Sequence, residues 1–205
     1  MDGEQMHGLF GSLYQKTLGE VFDRNRIRTY GKVRSSHALA APLPFVLYSD
    51  YYDHAGFVRA LANSGFCGHL WQPEVRNCAS VADLLRRTQT AVFSPQTVID
   101  SWFLKLPPWL QIDTDKNNAG ELMPDHEAVT ARVRALLEVR MRLVPYLYGA
   151  FLDYHRTGTP PFRAVVMDYP EDRNTHPLDT AYLMGPSLLV APLFGDATTR
   201  KLWLP

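Results

Sequence analysis

Two short apolar runs, each ending in a carboxylate and separated by one helical segment, constrain the fold of this chain most strongly. The first run spans residues 44–50 and ends at Asp50, and the second spans residues 65–76 and contains Glu74. Residues 53–63 between them carry apolar side chains at helical spacing. Parallel strands joined by one helix end at the same edge of a sheet. We therefore expect Asp50 and Glu74 to project into one site.

Strand and helix patterns alternate along the chain to residue 185, which indicates the α/β class. The strands are predicted at residues 29–35, 44–50, 66–73 and 163–167. Four parallel strands with their helices can form half of an eight-stranded barrel, or a small doubly wound sheet. The pattern alone leaves both architectures open.

The helices and the C-terminal segment complete the predicted organisation. The predicted helices cover residues 8–22, 53–63, 80–90, 125–155 and 179–184. Ser80 is placed to cap the third of these helices, and Pro145 is expected to kink or split the fourth. Residues 93–111 are predicted as an aromatic loop that is buried or lines a site. Residues 187–193 form a β-type run that can begin an all-β domain.

Composition excludes several classes of function. The 21 basic and 21 acidic side chains balance, so neither nucleic acid nor an anionic membrane is an indicated partner. The apolar runs are too short to cross a bilayer. Two cysteines and scattered histidines define neither a disulfide framework nor a metal site, and no cofactor is implied. The acidic N-terminus lacks the apolar region of a signal peptide, and we expect both ends of the chain to be truncation points. No feature indicates a compartment or an oligomeric state.

The residue types at the predicted strand ends favour sugar chemistry. Two carboxylates and the aromatic Trp71 at the C-terminal mouth of a parallel sheet are typical of glycoside-cleaving sites. Simpler roles are also open. Asp50 can cap a helix or lie on the surface, and Glu74 can form an ion pair with Arg76. Trp71 and Trp102 fit a core position as well as a sugar platform.

Five segments, taken in this order, carry a resemblance to a known family. They are Arg28–Ser35, Tyr48-Ser49-Asp50, Trp71–Arg76, Arg142–Tyr148 and Gly185–Pro192. The chain resembles glycoside hydrolase family 31, the retaining α-glucosidase, α-xylosidase and α-galactosidase group. The resemblance implies the second half of a (β/α)₈ TIM barrel over residues 1–185 and the first strand of a β-sandwich domain over residues 186–205.

The resemblance also implies roles for individual residues. Asp50 matches the general acid/base of the family, and Arg34 matches an arginine that binds sugar hydroxyls. Glu74 stands where most members have an aspartate, and Asp100 stands where many have a histidine, so the sugar is left open. Trp71 and Trp102 are further candidate substrate contacts. The nucleophilic aspartate of the family belongs to a strand that would precede Met1.

The resulting hypothesis is a retaining α-glycosidase that acts on an oligosaccharide or glycoside, with this fragment inactive alone. A non-catalytic carbohydrate-binding remnant, or a fragment without any activity, is the alternative, because the nucleophile strand is absent. A small doubly wound enzyme of another class is a third hypothesis, but no glycine-rich phosphate loop supports it.

Overall fold

Five α-helices and three small β-sheets make up the part of the chain that the computed structural model describes, residues 3–28, 31–34, 38–48, 53–195 and 197–205. The helices are α1 (Gly3–Arg24), α2 (His54–Asn63), α3 (Val81–Val92), α4 (Thr114–Ala119) and α5 (His126–Thr157). The strands are β1 (Gly31–Val33), β2 (Phe45–Tyr48), β3 (Trp71–Gln72), β4 (Glu74–Val75), β5 (Val98–Ile99), β6 (Phe162–Ala164), β7 (Tyr182–Met184) and β8 (Leu188–Val190).

The first sheet is parallel, in the order β1-β2-β3. Gly31 pairs with Phe45, and Leu47 pairs with Trp71, so β2 lies in the middle. Helix α2 connects β2 to β3 and begins where the Asp53 carboxylate accepts a hydrogen bond from the Gly56 amide at 2.6 Å. The predicted strand–helix–strand unit is therefore confirmed.

A second parallel pair, β4-β5, continues from the first sheet after Pro73. Proline has no amide hydrogen to donate to a ladder, which agrees with the break between β3 and β4. Strand β5 lies inside the segment that the sequence predicted as a loop, and α4 was also not predicted. Both elements are short, and β5 has only two residues, too few to leave a periodic pattern.

The third sheet is antiparallel, in the order β6-β7-β8. The predicted helix over residues 179–184 is wrong, because Tyr182–Met184 form strand β7 between β6 and β8. The predicted strand over 163–167 pairs antiparallel with β7 and gives way to a 3₁₀ helix, Val165–Met167. Burial explains the difference, since this pairing places Phe162, Tyr182 and Met184 in the core. Residue 185 lies in the turn between β7 and β8, within this sheet.

Two apolar clusters hold these elements together. The larger one surrounds α2 and joins the first sheet to β6, β7 and α5. The smaller one packs α3 against β4 and the start of α5. Helix α5 continues past Pro145 without a split and ends at Gly158, which has a left-handed φ of 77°. The Ser80 hydroxyl accepts from the Asp83 amide at 3.1 Å, as predicted for the cap of α3.

Candidate functional site at the carboxyl ends of the strands

A polar cavity of about 690 Å³ lies at the carboxyl ends of the parallel strands. Strand β1 is followed by Arg34, β2 ends at Tyr48, and β5 is followed by Asp100. The cavity is lined by Lys32, Arg34, Tyr48, Glu74, Arg76, Val98, Ile99, Asp100, Ser101 and Trp102. Parallel strands bring these chain-distant side chains to one edge, where α/β proteins commonly bind ligands.

Glu74 forms an ion pair across the cavity with Lys32. The Lys32 Nζ lies 3.2 Å from Glu74 Oε1, and the carboxylate side chain is only 6% exposed. A carboxylate that is removed from water requires a cation or several hydrogen bonds to offset its desolvation. The lysine from β1 supplies that charge to a residue of β4, three strands further along the chain.

Asp100 pairs with Arg76 on the other side of the cavity. Arg76 Nη1 lies 3.4 Å from Asp100 Oδ2, and both side chains are mostly buried. The guanidinium also lies over the rings of Phe103 and Trp102, at 4.6 and 5.5 Å from their centroids. Trp102 itself is 78% exposed, so its indole is open to solvent at the rim.

Two cations meet at Tyr48, where β2 ends. Arg34 Nε donates a hydrogen bond to the Tyr48 hydroxyl at 3.2 Å, and its guanidinium carbon lies 5.0 Å from the centre of the ring. Lys32 Nζ lies 5.1 Å from the same centroid. Tyr48 thereby helps to fix the direction of both basic side chains.

The structure brings together four of the residues predicted from the sequence, namely Arg34, Glu74, Asp100 and Trp102. Asp50 lies outside the described residues, although it follows the cavity-lining Tyr48 by two positions in the sequence.

Trp71 is not among the lining residues. It is 5% exposed and packs against Phe57, with ring centroids 6.5 Å apart. The structure therefore places Trp71 in the core and not in the wall of the cavity.

Sequence reasoning missed three charged or aromatic residues of the cavity. Lys32 and Arg34 lie two positions apart on one strand, so they face the same side, and this spacing could have identified Lys32. Tyr48 lies in the segment that contains Asp50, but was not considered as a contact. Arg76 was considered only as a partner of Glu74, whereas the structure pairs it with Asp100.

The cavity offers donors, acceptors and an aromatic face in one concave surface. Guanidinium and ammonium groups donate, carboxylates accept, and Trp102 presents an apolar plane. This combination suits a small polyhydroxylated molecule. No group of three or more histidine, cysteine, aspartate or glutamate residues within the described ranges is arranged to hold a metal ion. The described helices are too short or too polar for any of them to traverse a membrane.

The parallel strands and their helices define an α/β fold, and the chain is similar to known glycosidases that have such a fold. Residues 158–205 match the family model described as the glycosyl hydrolase family 31 C-terminal domain. The chain is also similar to curated proteins of this kind. It is 44% identical over 73 residues to an alpha-xylosidase of Emericella nidulans and 34% identical over 70 residues to alpha-glucosidase 2 of Bacillus thermoamyloliquefaciens. These alignments cover 36% and 34% of this chain.

A solved structure covers almost the whole chain. A family 31 sulfoquinovosidase from E. rectale, in complex with an aza-sugar inhibitor, superposes on 98% of this chain with a TM-score of 0.78 at 18% sequence identity. The resemblance to glycoside hydrolase family 31 is thus confirmed, and these matches support membership of that family. The chain matches 31% of that structure and 9% of the length of each of the two curated relatives.

Proposed function

We propose that this chain is the acid/base-carrying half of a retaining α-glycosidase that hydrolyses O-glycosyl bonds. One observation carries the proposal: Arg34, Glu74, Asp100 and Trp102 line a single cavity at the carboxyl ends of parallel strands. Sugar-cleaving barrels bind their substrates at this edge. The relatives named as alpha-xylosidase and alpha-glucosidase support the same chemistry. In this proposal the chain is the second half of a (β/α)₈ barrel that leads into a β-sandwich domain.

In the proposed mechanism Asp50 acts twice. A carboxylate from outside these residues attacks the anomeric carbon while Asp50 donates its proton to the leaving oxygen, so the glycosidic bond breaks as a glycosyl–enzyme ester forms. Asp50, now ionised, then removes a proton from water, and the resulting hydroxyl attacks the ester and releases the sugar. The acid is thereby reprotonated and the nucleophilic carboxylate is regenerated.

The two ion pairs of the cavity would hold the sugar. Lys32 and Arg76 offset the charges of Glu74 and Asp100, and the remaining lone pairs of those carboxylates can accept hydrogen bonds from hydroxyl groups. Trp102 offers a plane for the apolar face of the ring. Contacts of this kind raise the rate only where they strengthen in the transition state.

Substitution of Asp50 tests the proposal in the complete gene product. Asp50→Asn should lower hydrolysis of glycosides with poor leaving groups by about 10²–10⁴-fold, the usual contribution of a general acid. An α-glycosyl fluoride needs no protonation, so its first step should survive and a covalent intermediate should accumulate. Aryl α-glucoside, α-xyloside and α-galactoside would be compared to identify the sugar.

Glu74→Gln is the matched control, since it changes a carboxylate that is proposed only to bind. It should slow fluoride and ether-type substrates by a similar factor. If Asp50→Asn also slows both substrates equally, Asp50 is not the acid and the proposed mechanism is wrong.

A carbohydrate-binding remnant without catalysis is a second candidate, favoured by the pairing of both described cavity carboxylates with cations. Such a protein would bind a monosaccharide, as measured by calorimetry, while the complete gene product cleaves no glycoside.

A further inference from the structure

We propose that Arg140 and Gln72 are positioning residues, which hold residues 93–97 so that Asp100 and Trp102 face the candidate site. The inference deepens the proposed function and rests on it for its catalytic meaning. Neither residue lines the cavity, and Arg140 belongs to α5, far along the chain from the strands that form the site.

Side chains from α5 and β7 donate hydrogen bonds to the carbonyl groups at the end of α3 and just beyond it. Arg140 Nη1 donates to the carbonyl oxygens of Val92 and Ser94 at 2.8 and 2.6 Å, and Nη2 donates to that of Pro95 at 2.8 Å. The buried Tyr182 hydroxyl donates to the Phe93 carbonyl at 2.8 Å. The last carbonyls of a helix lack partners within the helix, and a cation is favoured at that end. Four successive carbonyls are thus fixed by side chains.

Gln72, the last residue of β3, connects the same segment to the parallel sheet by hydrogen bonds. Its side chain is fully buried at the end of β3. The Nε2 group lies within hydrogen-bond distance of the Pro73 carbonyl and 3.3 Å from Ser94 Oγ, while Oε1 accepts from the Gln96 amide. The planar amide therefore reaches both its own strand and the turn after α3.

The fixed segment lies only a few residues before the wall of the cavity. Strand β5 begins at Val98 and has two residues, so few ladder hydrogen bonds hold it against β4. The Asp100 amide donates to the Val75 carbonyl at 3.0 Å, and its carboxylate then meets Arg76. A strand this short cannot set its own position, and its placement depends on what anchors the preceding turn.

Hydrogen exchange of the 205-residue chain tests the anchoring directly. Arg140→Lys keeps the charge but replaces a planar fork that reaches three carbonyls by one ammonium. Loss of about two hydrogen bonds should speed exchange of the Gln96 and Asp100 amides roughly tenfold. Gln72→Met should do the same. Arg142→Lys, on an exposed position of the same helix, is the control and should leave both amides unchanged. Equal exchange in Arg140→Lys and Arg142→Lys would overturn the proposal.

A double-mutant cycle in the complete gene product separates positioning from general stability. Arg140→Lys should raise KM for an aryl α-glycoside, with a loss of kcat/KM of roughly tenfold. If Arg140 acts through Asp100, combining Arg140→Lys with Asp100→Ala should cost no more than Asp100→Ala alone. Additive losses would show a structural role only and would overturn the positioning role. If wild type cleaves no glycoside, the proposed function fails, while the exchange experiment still decides whether Arg140 and Gln72 place Asp100.

Discussion

At the scale of single residues, charge compensation decides what the candidate site can do. Glu74 and Asp100 lie in a largely buried wall, and each is held there by a cation from another strand or position. Removing one partner of such a pair leaves an uncompensated charge, which costs more than the pair itself contributes. Lys32 and Arg76 therefore offset the desolvation of these two carboxylates.

His54 gives the chain a predicted pH dependence. The ring is buried between Phe57 and Phe194, and Nε2 lies 2.9 Å from Thr90 Oγ1. Burial, with the nearby charge of Arg87 as a smaller cause, lowers the pKa of His54 from 6.5 to about 4. As the pH falls, His54 is protonated in the unfolded chain before it is protonated in the folded chain. The contribution of neutral His54 to stability is therefore complete above pH 6.5. That contribution falls as the pH drops towards 4, by about 3 kcal/mol at most.

Urea unfolding at pH 7 and pH 4.5 checks this prediction. His54→Gln cannot titrate, so the stability difference between the two pH values should be smaller than in wild type. His155→Gln, which changes an exposed histidine of α5, should retain the wild-type difference. An unchanged difference in His54→Gln would show that other groups dominate the acid response.

At the scale of elements, the turn between β7 and β8 depends on a glycine that packs against a tyrosine. Gly185 has a φ of +60°, and a Cβ there would lie 2.6 Å from the Tyr146 hydroxyl oxygen. That hydroxyl donates to the Met184 carbonyl at 2.8 Å and accepts from the Ser187 amide at 2.9 Å. The tyrosine of α5 is held on both sides of the turn and cannot move away at low cost.

Two glycine-to-alanine substitutions should therefore change stability in opposite directions. Gly185→Ala should lower the free energy of unfolding by about 2–4 kcal/mol, from backbone strain and the clash with Tyr146. Gly149 lies in α5, with open space around the methyl group that alanine would add. Gly149→Ala should therefore raise the free energy of unfolding by about 0.5–1 kcal/mol. Denaturant midpoints of the two variants measure both effects. A destabilised Gly149→Ala would mean that helix propensity does not control that position.

At the scale of the whole molecule, the arrangement resembles one side of a binding cleft. The described cavity contains two carboxylates, and both are paired with cations. A retaining mechanism needs a second carboxylate that is free to attack. Under the proposed function, that group comes from outside these 205 residues.

The 205-residue chain is accordingly predicted to be inactive by itself. The purified chain should release no aglycone from aryl α-glucoside, α-xyloside or α-galactoside, while circular dichroism checks that it is folded. Turnover that disappears in Asp50→Asn would contradict this prediction, because the chain would then contain a complete catalytic pair.

Local signals in the sequence determined the elements around the site. The strand–helix–strand unit, the caps at Ser80 and Gly158, and the long amphipathic α5 follow from periodicity and capping, which depend on residues within a few positions of one another. The family resemblance implied that Arg34, Glu74 and Asp100 share one site, and Trp102 was a further candidate contact; the cavity contains all four. The role of Asp50 stays a prediction.

Only the tertiary structure decided the features that depend on contacts between distant parts of the chain. Residues 182–184 became a strand because pairing with β6 buries Tyr182 and Met184, an advantage that no local pattern contains. Trp71 lies in the core because its ring packs against Phe57 of α2. Glu74 meets Lys32 because Glu74 closely follows β3, and β3 shares a parallel sheet with β1, the strand of Lys32. Pairing and burial are set by packing across the whole molecule, whereas propensity is set by neighbours in sequence.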